Sequence, residues 1–298
     1  MKRQTIGVEI ELTGLTRKAA AEAVANYFGT TAEYVGGAYA AYKVEDNDGK
    51  IWSFKRDTSI KAQVWEDGEK WGAGDEYKVE FITPILNYND LETLQELVKV
   101  IRKAGGFVNC SCGLHCHIGA KGMTAKAAAN LLKMVASKQD LIYKALNVDE
   151  DRENYCKKFT ESFMRDLISL KPETSAELAS VWYGEPIWKA EQRHDHYDES
   201  RYHLVNLHAL FTQGTVEYRM FNSTLDEREV KAAVQFCLAV THCAKTAERA
   251  IYRKTETASD KFTFRTWLRQ LGLNGDEFKD CRKYLLKNLQ GSIYRAVA

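Results

Sequence analysis

Residues 109–119 constrain the fold more than any other segment, because their polar and apolar side chains alternate. Residues 114–118 read Leu-His-Cys-His-Ile, so a β-strand there would direct His115 and His117 to one face and the apolar side chains to the other. Two imidazoles at this spacing lie about 7 Å apart, and each can bind a metal ion or a phosphate. The alternative at this point is a half-exposed strand that carries two histidines by chance.

Residues 6–12 alternate in the same way. The sequence Ile-Gly-Val-Glu-Ile-Glu-Leu places Glu9 and Glu11 on one face of a strand and apolar side chains on the other. Neighbouring carboxylates on one face repel each other in water. A divalent cation between them removes this repulsion, so the pair is a candidate for metal binding, with an ordinary solvent-facing strand as the alternative.

Two later segments carry further polar side chains on predicted strands. Residues 76–83 place Glu80 between two apolar neighbours, and residues 215–221 place Glu217 and Arg219 on one face. For Glu217 and Arg219 the alternative to a functional role is an ion pair within that face. At the end of another strand, Asp57 and Ser59 either hold a substrate amine and an oxygen or cap a turn.

The remaining elements follow from helical periodicity, caps and turn signals. Helices are predicted over residues 16–28, 90–104, 124–146, 163–170, 175–181, 226–251, 262–271 and 277–289. Strands are predicted over residues 39–44 and 50–55, and residues 201–211 are expected to form a hairpin with 215–221. We expect residues 65–74 to be a flexible loop. Residues 191–200, with His194 and His196, are expected to be a mobile loop that orders over substrate.

Together these elements predict an α+β fold with one antiparallel sheet. Helices would cover its back, and its other face would be a polar, metal-binding trough. A chain of 298 residues can form a single catalytic domain over 1–298, with a helical elaboration at about 226–298. The loops at 30–74 and 185–200 would build the substrate pocket.

Composition excludes several classes of protein. A net charge of +1 argues against nucleic acid as the main partner. No apolar run approaches the roughly 20 residues of a membrane span, and the N-terminal segment lacks the apolar region of a secretory signal. The seven cysteines are expected to be reduced thiols. We therefore expect a cytoplasmic protein that acts neither on nucleic acid nor on a membrane.

The polar faces of the predicted strands suggest a chemistry. Four glutamates and two histidines favour Mg²⁺ or Mn²⁺ over zinc, in two or more sites. Paired ions of this kind commonly serve phosphates, and Arg219 beside Glu217 suits the transferred phosphoryl group. The sequence has no GxxxxGK[ST] or GxGxxG motif, so a nucleotide such as ATP would be held by the trough itself.

Five motifs in order resemble the amidoligase family, which comprises ATP-dependent carboxylate–amine ligases related to glutamine synthetase and glutamate–cysteine ligase. The motifs are Gly-Val-Glu-Ile-Glu-Leu, Val-Glu-Phe-Ile-Thr-Pro-Ile-Leu, Cys-Gly-Leu-His-Cys-His-Ile-Gly, Arg-Tyr-x3-Asn-Leu and Thr-Val-Glu-Tyr-Arg-Met-Phe-Asn, spread over residues 6–226. The resemblance implies a curved antiparallel sheet of the glutamine synthetase-like type, whose concave polar face binds ATP and metal ions. It also implies that a carboxylate attacks the γ-phosphate and that an amine displaces the resulting acyl phosphate.

The resemblance assigns roles to individual residues. The implied metal ligands are Glu9, Glu11, Glu80, His115 and Glu217. His117 would approach phosphate, Arg219 would stabilise the phosphoryl group, and Arg201 and Asn206 would contact phosphates or a substrate carboxylate. Asp57 would orient the amine, although Thr58 stands where relatives usually have glycine. Asn109, which begins the His-x-His segment, is a further candidate for nucleotide binding.

Three functions remain open from the sequence. The leading one is an ATP-dependent ligase that joins the carboxylate of one amino acid, peptide or protein to the amine of another. The second is a zinc hydrolase that uses the His-x-His strand, and the third is a non-catalytic relative that binds nucleotide or peptide. Tightly bound zinc would favour the hydrolase. The acid, the amine and the oligomeric state stay unspecified.

Overall fold

An open, eight-stranded antiparallel sheet forms the centre of the computed structural model, which describes residues 1–195 and 197–294. The ten strands are β1 (Ile6–Leu12), β2 (Ala32–Gly36), β3 (Ala41–Glu45), β4 (Ile51–Lys55), β5 (Gln63–Glu66), β6 (Glu69–Gly72), β7 (Val79–Ile82), β8 (Gly113–Gly119), β9 (Val205–Asn206) and β10 (Thr215–Asn222). The order across the sheet is β2-β3-β4-β7-β1-β8-β10-β9, and β5 and β6 form a separate hairpin. The predicted antiparallel sheet is therefore confirmed, with β1 near its middle.

Eleven α-helices lie within the described part of the chain. They are α1 (Arg17–Phe28), α2 (Leu91–Lys103), α3 (Ala125–Ala136), α4 (Gln139–Leu146), α5 (Glu161–Leu170), α6 (Ser175–Tyr183), α7 (Ile187–Ala190), α8 (His208–Gln213), α9 (Glu227–Thr246), α10 (Asp260–Gln270) and α11 (Lys279–Leu286). Threonine side chains cap the first turns of α1, α3, α5 and α6. None of these helices combines the length and the apolar character that a membrane crossing requires.

The apolar face of the sheet is the main core of the molecule. The three apolar residues of β1 that alternate with its glutamates, Val8, Ile10 and Leu12, are at most 1% exposed. Helix α1 packs on β3 and β4, α9 packs on β8 and β10, and α2 packs against both helices. The expected division into a helix-covered face and a polar face therefore follows from the alternation of these strands.

Two predicted helix boundaries were wrong. The expected helix over 124–146 is two helices, because Ser137 ends α3 by hydrogen bonding to Lys133 O at 2.7 Å and accepting the N–H of Arg253 at 3.1 Å. The backbone departs from the helical conformation at Lys138, with φ −117° and ψ 1°, before α4 starts. The helix expected to reach residue 251 ends at Thr246.

The predicted flexible loop over 65–74 was also wrong. Residues 63–72 form the hairpin β5–β6, whose two turn residues, Asp67 and Gly68, have φ angles of 50° and 83°. Asp-Gly is the pair that a two-residue turn of this kind prefers, since both positions need positive φ. The Asp67-Gly68 turn signal is present in the sequence between two short alternating segments. The many tryptophan, glycine and acidic residues around it favoured the prediction of a loop.

The expected strand over 201–211 is mostly absent. Only Val205 and Asn206 pair with β10, whereas α8 begins at His208. The Asn206 side chain accepts the main-chain N–H of His208 at 2.7 Å and so starts this helix. Similarly, the strand predicted over 76–83 is shorter, because Asp75–Tyr77 forms a 3₁₀ turn before β7.

Candidate active site

The register of β1 with its two neighbours brings four predicted ligands together on the polar face. Glu9 lies opposite His115 on β8, and Glu11 lies opposite Glu80 on β7. Directly opposed side chains on one face have Cβ atoms about 4.5–5.5 Å apart. Four residues that are far apart in sequence therefore become neighbours through strand pairing alone.

The same face continues onto β10 and β9. His117 lies opposite Glu217, and Glu217 lies opposite Asn206. The register shifts by one residue between Tyr218 and Phe221, which marks a β-bulge just after Glu217. The register thus extends the row of polar residues to the edge of the sheet.

Glu9 lies between the two histidines. Its Oε2 is 3.1 Å from His115 Nδ1, and its Oε1 is 3.4 Å from His117 Nε2. Glu217 Oε1 lies 3.8 Å from His115 Nδ1 and 4.0 Å from His117 Nε2. Two carboxylates and two imidazoles therefore converge on one small region.

Glu217 is held from both sides. Asn206 Nδ2 donates to Glu217 Oε2 at 2.5 Å, and the Arg219 guanidinium donates to Glu217 Oε1. All three side chains are at least nine-tenths buried. The same-face ion pair that the sequence offered as an alternative is present, and it lies within the cluster of predicted ligands.

A second carboxylate group lies on the β7 side. Glu11 Oε2 accepts the N–H of Gly113 at 2.6 Å, and Glu11 offers a ligand atom within 4.8 Å of those from Glu80 and Asp57. Asp57 Oδ1 also accepts hydrogen bonds from Ser59 N at 2.7 Å and Ser59 Oγ at 2.6 Å. Asp57 therefore caps its turn, as one alternative predicted, and faces the other two acids.

Three groups of side chains have a geometry that fits a metal ion. They are Glu9, His117 and Glu217; Glu9, Glu80 and His115; and Glu11, Asp57 and Glu80, each with its ligand atoms within 4.8 Å of one another. Adjacent ligands around Mg²⁺ lie about 3 Å apart, which small side-chain movements would reach. His117 Nε2 is buried, and the carboxylate oxygens of Glu9 and Glu217 lie 3.4 and 4.0 Å from it. A cation beside it would satisfy this nitrogen.

The pKa values show where negative charge is in excess. Burial, together with the charge of Asp57, raises the pKa of the Glu11 carboxyl to about 7. Burial and the surrounding carboxylates raise the pKa of Glu80 well above its ordinary value. A divalent cation between these acids would favour their charged forms. The oxygen-rich donor set suits a hard ion such as Mg²⁺ or Mn²⁺.

For the groups nearer Arg219, the positive charge of the guanidinium lowers the pKa values instead. Burial disfavours the charged form of Glu217, but the Arg219 guanidinium outweighs this effect and lowers the pKa of Glu217 to about 2. Burial lowers the pKa of His115 to about 4, and Arg219 contributes to the shift. His115 is therefore neutral at pH 7, which is the form of imidazole that binds a metal ion.

Two cavities flank the cluster. The large cavity, of about 690 Å³, is lined by the carboxylates Glu11, Asp57 and Glu80 and by the guanidinium groups of Arg152, Arg201 and Arg219, among others. The small cavity, of about 250 Å³, is lined by His117, His194, Asn206, His208 and Glu217, among others. Glu9 and Arg201 line both. Through Glu9 the cluster therefore borders both cavities.

Comparison with known protein families identifies the family of this chain. The family model described as "Putative amidoligase enzyme" matches residues 2–241, a range that includes every residue of the cluster and both cavities. The chain belongs to the amidoligase family. This membership supports a ligase activity. No curated protein matches the chain.

One predicted residue of this amidoligase-family protein, Asn109, lies apart from the cluster. The Asn109 side chain donates to Lys61 O at 2.8 Å and to Gln63 Oε1 at 2.9 Å, and it lines a separate cavity of about 350 Å³ near α9 and α11. The structure therefore does not bring Asn109 together with the other candidates. His196 lies outside the described residues, whereas its predicted companion His194 lines the small cavity.

Sequence analysis of this family member missed several residues that line the large cavity. Arg152, which is 3% exposed, donates to Arg219 O at 2.9 Å and to Phe221 O, and so supports β10 at its bulge. Tyr39 and Tyr197 come from different loops, and their hydroxyl groups lie 3.1 Å apart. Arg152 lies in a segment without alternation, so only tertiary contacts reveal its position. The two tyrosines come from the loops that were expected to build the pocket.

Proposed function

We propose that this amidoligase-family protein is an ATP-dependent carboxylate–amine ligase that forms an amide bond through an acyl phosphate. The observation that supports this proposal most strongly is the position of Glu9, shared by two potential metal groups beside the Arg219–Glu217 pair. A cluster that binds metal ions beside an arginine suits the negatively charged triphosphate of ATP better than it suits an uncharged peptide bond. The polar face would then be the concave face of a glutamine synthetase-like sheet.

Two or more Mg²⁺ or Mn²⁺ ions would be held by Glu9, Glu11, Glu80, His115 and Glu217. When bound, these ions would neutralise phosphate charge and orient the γ-phosphoryl group for transfer. His117 and Arg219 lie at the same cluster and would contact phosphate oxygens. In this role Arg219 stabilises the negative charge of the phosphoryl group as it moves from ADP to the acid.

The reaction proceeds in two steps under this proposal. An oxygen of the substrate carboxylate attacks the γ-phosphorus, the bond to ADP breaks, and an acyl phosphate forms. The amine nitrogen then attacks the carbonyl carbon and loses a proton, and inorganic phosphate leaves with the electrons of the carbon–oxygen bond. Asp57 lies in the large cavity and would bind the ammonium form of the amine and accept one of its protons, which leaves the neutral amine that attacks. Arg201 lines both cavities and would contact the substrate carboxylate or phosphate.

The donor set argues against the zinc hydrolase. The three potential groups draw on five carboxylates, Glu9, Glu11, Asp57, Glu80 and Glu217, and on two histidines. Catalytic zinc sites commonly use more nitrogen or sulfur ligands. The amidoligase-family membership also favours a ligase over a hydrolase.

The proposal places the whole chain, residues 1–298, in one cytoplasmic catalytic domain. Helices α10 and α11 lie beyond the matched range and form an elaboration of that domain. Substrates would be amino acids, peptides or proteins that supply the carboxylate and the amine.

Hydroxylamine provides a direct test, because it replaces the amine and traps acyl phosphates as hydroxamates. Purified protein with Mg²⁺, ATP and hydroxylamine would be screened against a panel of amino acids and short peptides. We expect equal amounts of ADP and hydroxamate with the cognate acid, and neither product without Mg²⁺. Release of ADP without hydroxamate across a panel that includes acidic, neutral and peptide carboxylates would contradict the acyl-phosphate step. Replacement of Glu217 by glutamine provides the matched inactive control.

A further inference from the structure

The hairpin β5–β6 exposes two tryptophans. Trp65 and Trp71 are 57% and 56% exposed, and all four residues of β6 lie at the surface. Trp65 has one edge-on contact, with Phe107, at a centroid distance of 6.5 Å. Trp71 lies opposite Val64 and therefore shares a face of the hairpin with Glu66 and Glu69, whereas Trp65 lies opposite Lys70 on the other face. Large exposed aromatic side chains are typical of binding surfaces. The hairpin, residues 63–72, is called the arm below.

The end of the arm is acidic. Glu66, Asp67 and Glu69 are exposed, and none of them forms an ion pair with a described residue. Lys70 follows them, and its ammonium group lies 5.9 Å from the centre of the Trp65 ring and 4.7 Å from that of Phe107. The face of Trp65 therefore already accepts a cation from within the chain. Unpaired acids and an aromatic face both attract cationic groups.

The base of the arm adjoins the large cavity. The chain enters β5 a few residues after Asp57 and returns from β6 to the strand that carries Glu80. Lys61, just before β5, donates its main-chain N–H to Ser111 Oγ at 2.9 Å, and Ser111 lines the large cavity. Gln63 is fixed to Thr13 by two hydrogen bonds of 2.8 Å. The base of the arm is thus anchored beside Ser111, a residue that lines the same cavity as Asp57, the residue proposed to hold the amine.

We propose that the arm binds a polypeptide that carries lysine or arginine side chains. A lysine amine of the bound polypeptide would then enter the large cavity as substrate. This second step rests on the proposed ligase function, whereas binding to the arm does not. A neutral oligosaccharide would stack on tryptophan but would make no use of the unpaired acids. A second copy of this chain would bring another acidic tip to the first, and the like charges would repel.

Binding can be measured without catalysis. The probe is a fluorescein-labelled peptide of alternating lysine and glycine, and the control peptide has glutamate in place of lysine. We expect the lysine peptide to bind the intact protein, more weakly as salt increases, and the glutamate peptide not to bind. The variant Trp71→Ala should weaken binding about tenfold, as expected for the loss of one cation–π contact with partial desolvation. The double variant Glu66→Lys, Glu69→Lys should weaken it further.

Tyr27→Ala is the matched control, because Tyr27 is an exposed aromatic residue on α1, outside the arm and outside the loops expected to build the pocket. It should leave the affinity for the lysine peptide unchanged. Equal binding by the wild type and Trp71→Ala would overturn the proposal. Tighter binding of a neutral hexasaccharide than of the lysine peptide would overturn it too, as would Trp71-dependent dimerisation in sedimentation experiments.

The hydroxylamine assay separates failure of the two proposals. Trp71→Ala should form hydroxamate at the wild-type rate, because hydroxylamine does not need the arm, but should lose activity with the lysine peptide as amine. Trp71-dependent peptide binding without any ADP release would support docking and overturn the ligase. Hydroxamate formation with no peptide binding would support the proposed ligase function and overturn the proposed binding role of the arm.

Discussion

Asn206 fixes the orientation of Glu217. Its Nδ2 donates to Glu217 Oε2 at 2.5 Å, while its Oδ1 accepts the N–H of His208 at 2.7 Å. Because both ends of the amide are engaged, Asn206 cannot rotate without breaking one bond. A residue that the family resemblance associates with phosphate or substrate thus also positions a proposed metal ligand.

Asn206→Asp tests this positioning role. The substitution keeps the shape of the side chain but places an acceptor against the Glu217 carboxylate, so Glu217 should turn away. We expect Mn²⁺ affinity, measured by titration calorimetry, to fall about 10- to 100-fold, as for other residues that orient metal ligands. An unchanged affinity, with the fold verified by circular dichroism, would contradict the role.

Glu9→Ala should abolish ATP turnover with little loss of fold. The carboxylate belongs to two of the three potential metal groups, and its side chain is 25% exposed, so that its removal leaves little unfilled space. The measurements are ADP release and the midpoint of thermal unfolding. Full turnover in this variant would refute the metal assignment.

Arg219→Ala should slow phosphoryl transfer more than it weakens ATP binding. An arginine that stabilises a transferred phosphoryl group commonly contributes about 10³-fold or more to the rate. Single-turnover ADP formation gives the rate, and nucleotide titration gives the affinity. Arg219→Lys keeps the charge beside Glu217 and is the control for loss of the ion pair. A loss of affinity alone would be inconsistent with the proposed role.

His203 should make stability depend on pH. Its ring stacks on Phe159 at a centroid distance of 5.4 Å and packs edge-on against Trp182 at 5.3 Å, and burial holds its pKa below the ordinary value. As the pH falls below about 6.5, His203 therefore becomes protonated in the unfolded protein before it does so in the folded protein. The stabilisation from neutral His203 is present above that pH and is lost as pH falls towards the lower pKa of the folded state.

In the variant His203→Phe, phenylalanine keeps the stacking and does not titrate, but it loses the hydrogen bond from His203 Nδ1 to Ser200 O at 2.9 Å. This loss is the same at every pH, so the effect of titration is the change in the stability difference between two pH values. Urea unfolding at pH 7.5 and pH 5.5 gives the free energy of unfolding of both proteins. We expect the variant to gain stability relative to the wild type at pH 5.5. If the free energies of unfolding of the variant and the wild type differ by the same amount at both values of pH, His203 does not contribute to the pH dependence of stability.

The parts of the site that sequence analysis predicted are those set by local alternation. Glu9, Glu11, Glu80, His115 and Glu217 were assigned to faces because each strand has an apolar side that must be buried. The pairing order of the strands then brought them together. Family membership also became recognisable from these motifs.

The failures have different causes. Around Asn206 a side chain ends the strand by starting a helix, so alternation over 201–211 gave the wrong element. Arg152 carries no local pattern, and its role depends on carbonyl groups of β10 that lie 67 and 69 residues away. The arm was missed despite its Asp67-Gly68 turn, since an isolated hairpin has no buried face to produce strong alternation.

The shared position of Glu9 has a thermodynamic consequence. If one ion orders the carboxylate for the group with Glu80 and His115, it prepares the other carboxylate oxygen for the group with His117 and Glu217. The repulsion between two positive ions opposes this preparation, and by linkage the net effect of each ion on the affinity for the other is the same factor. The two groups should therefore not fill independently, and loss of the Glu9 carboxylate should weaken both.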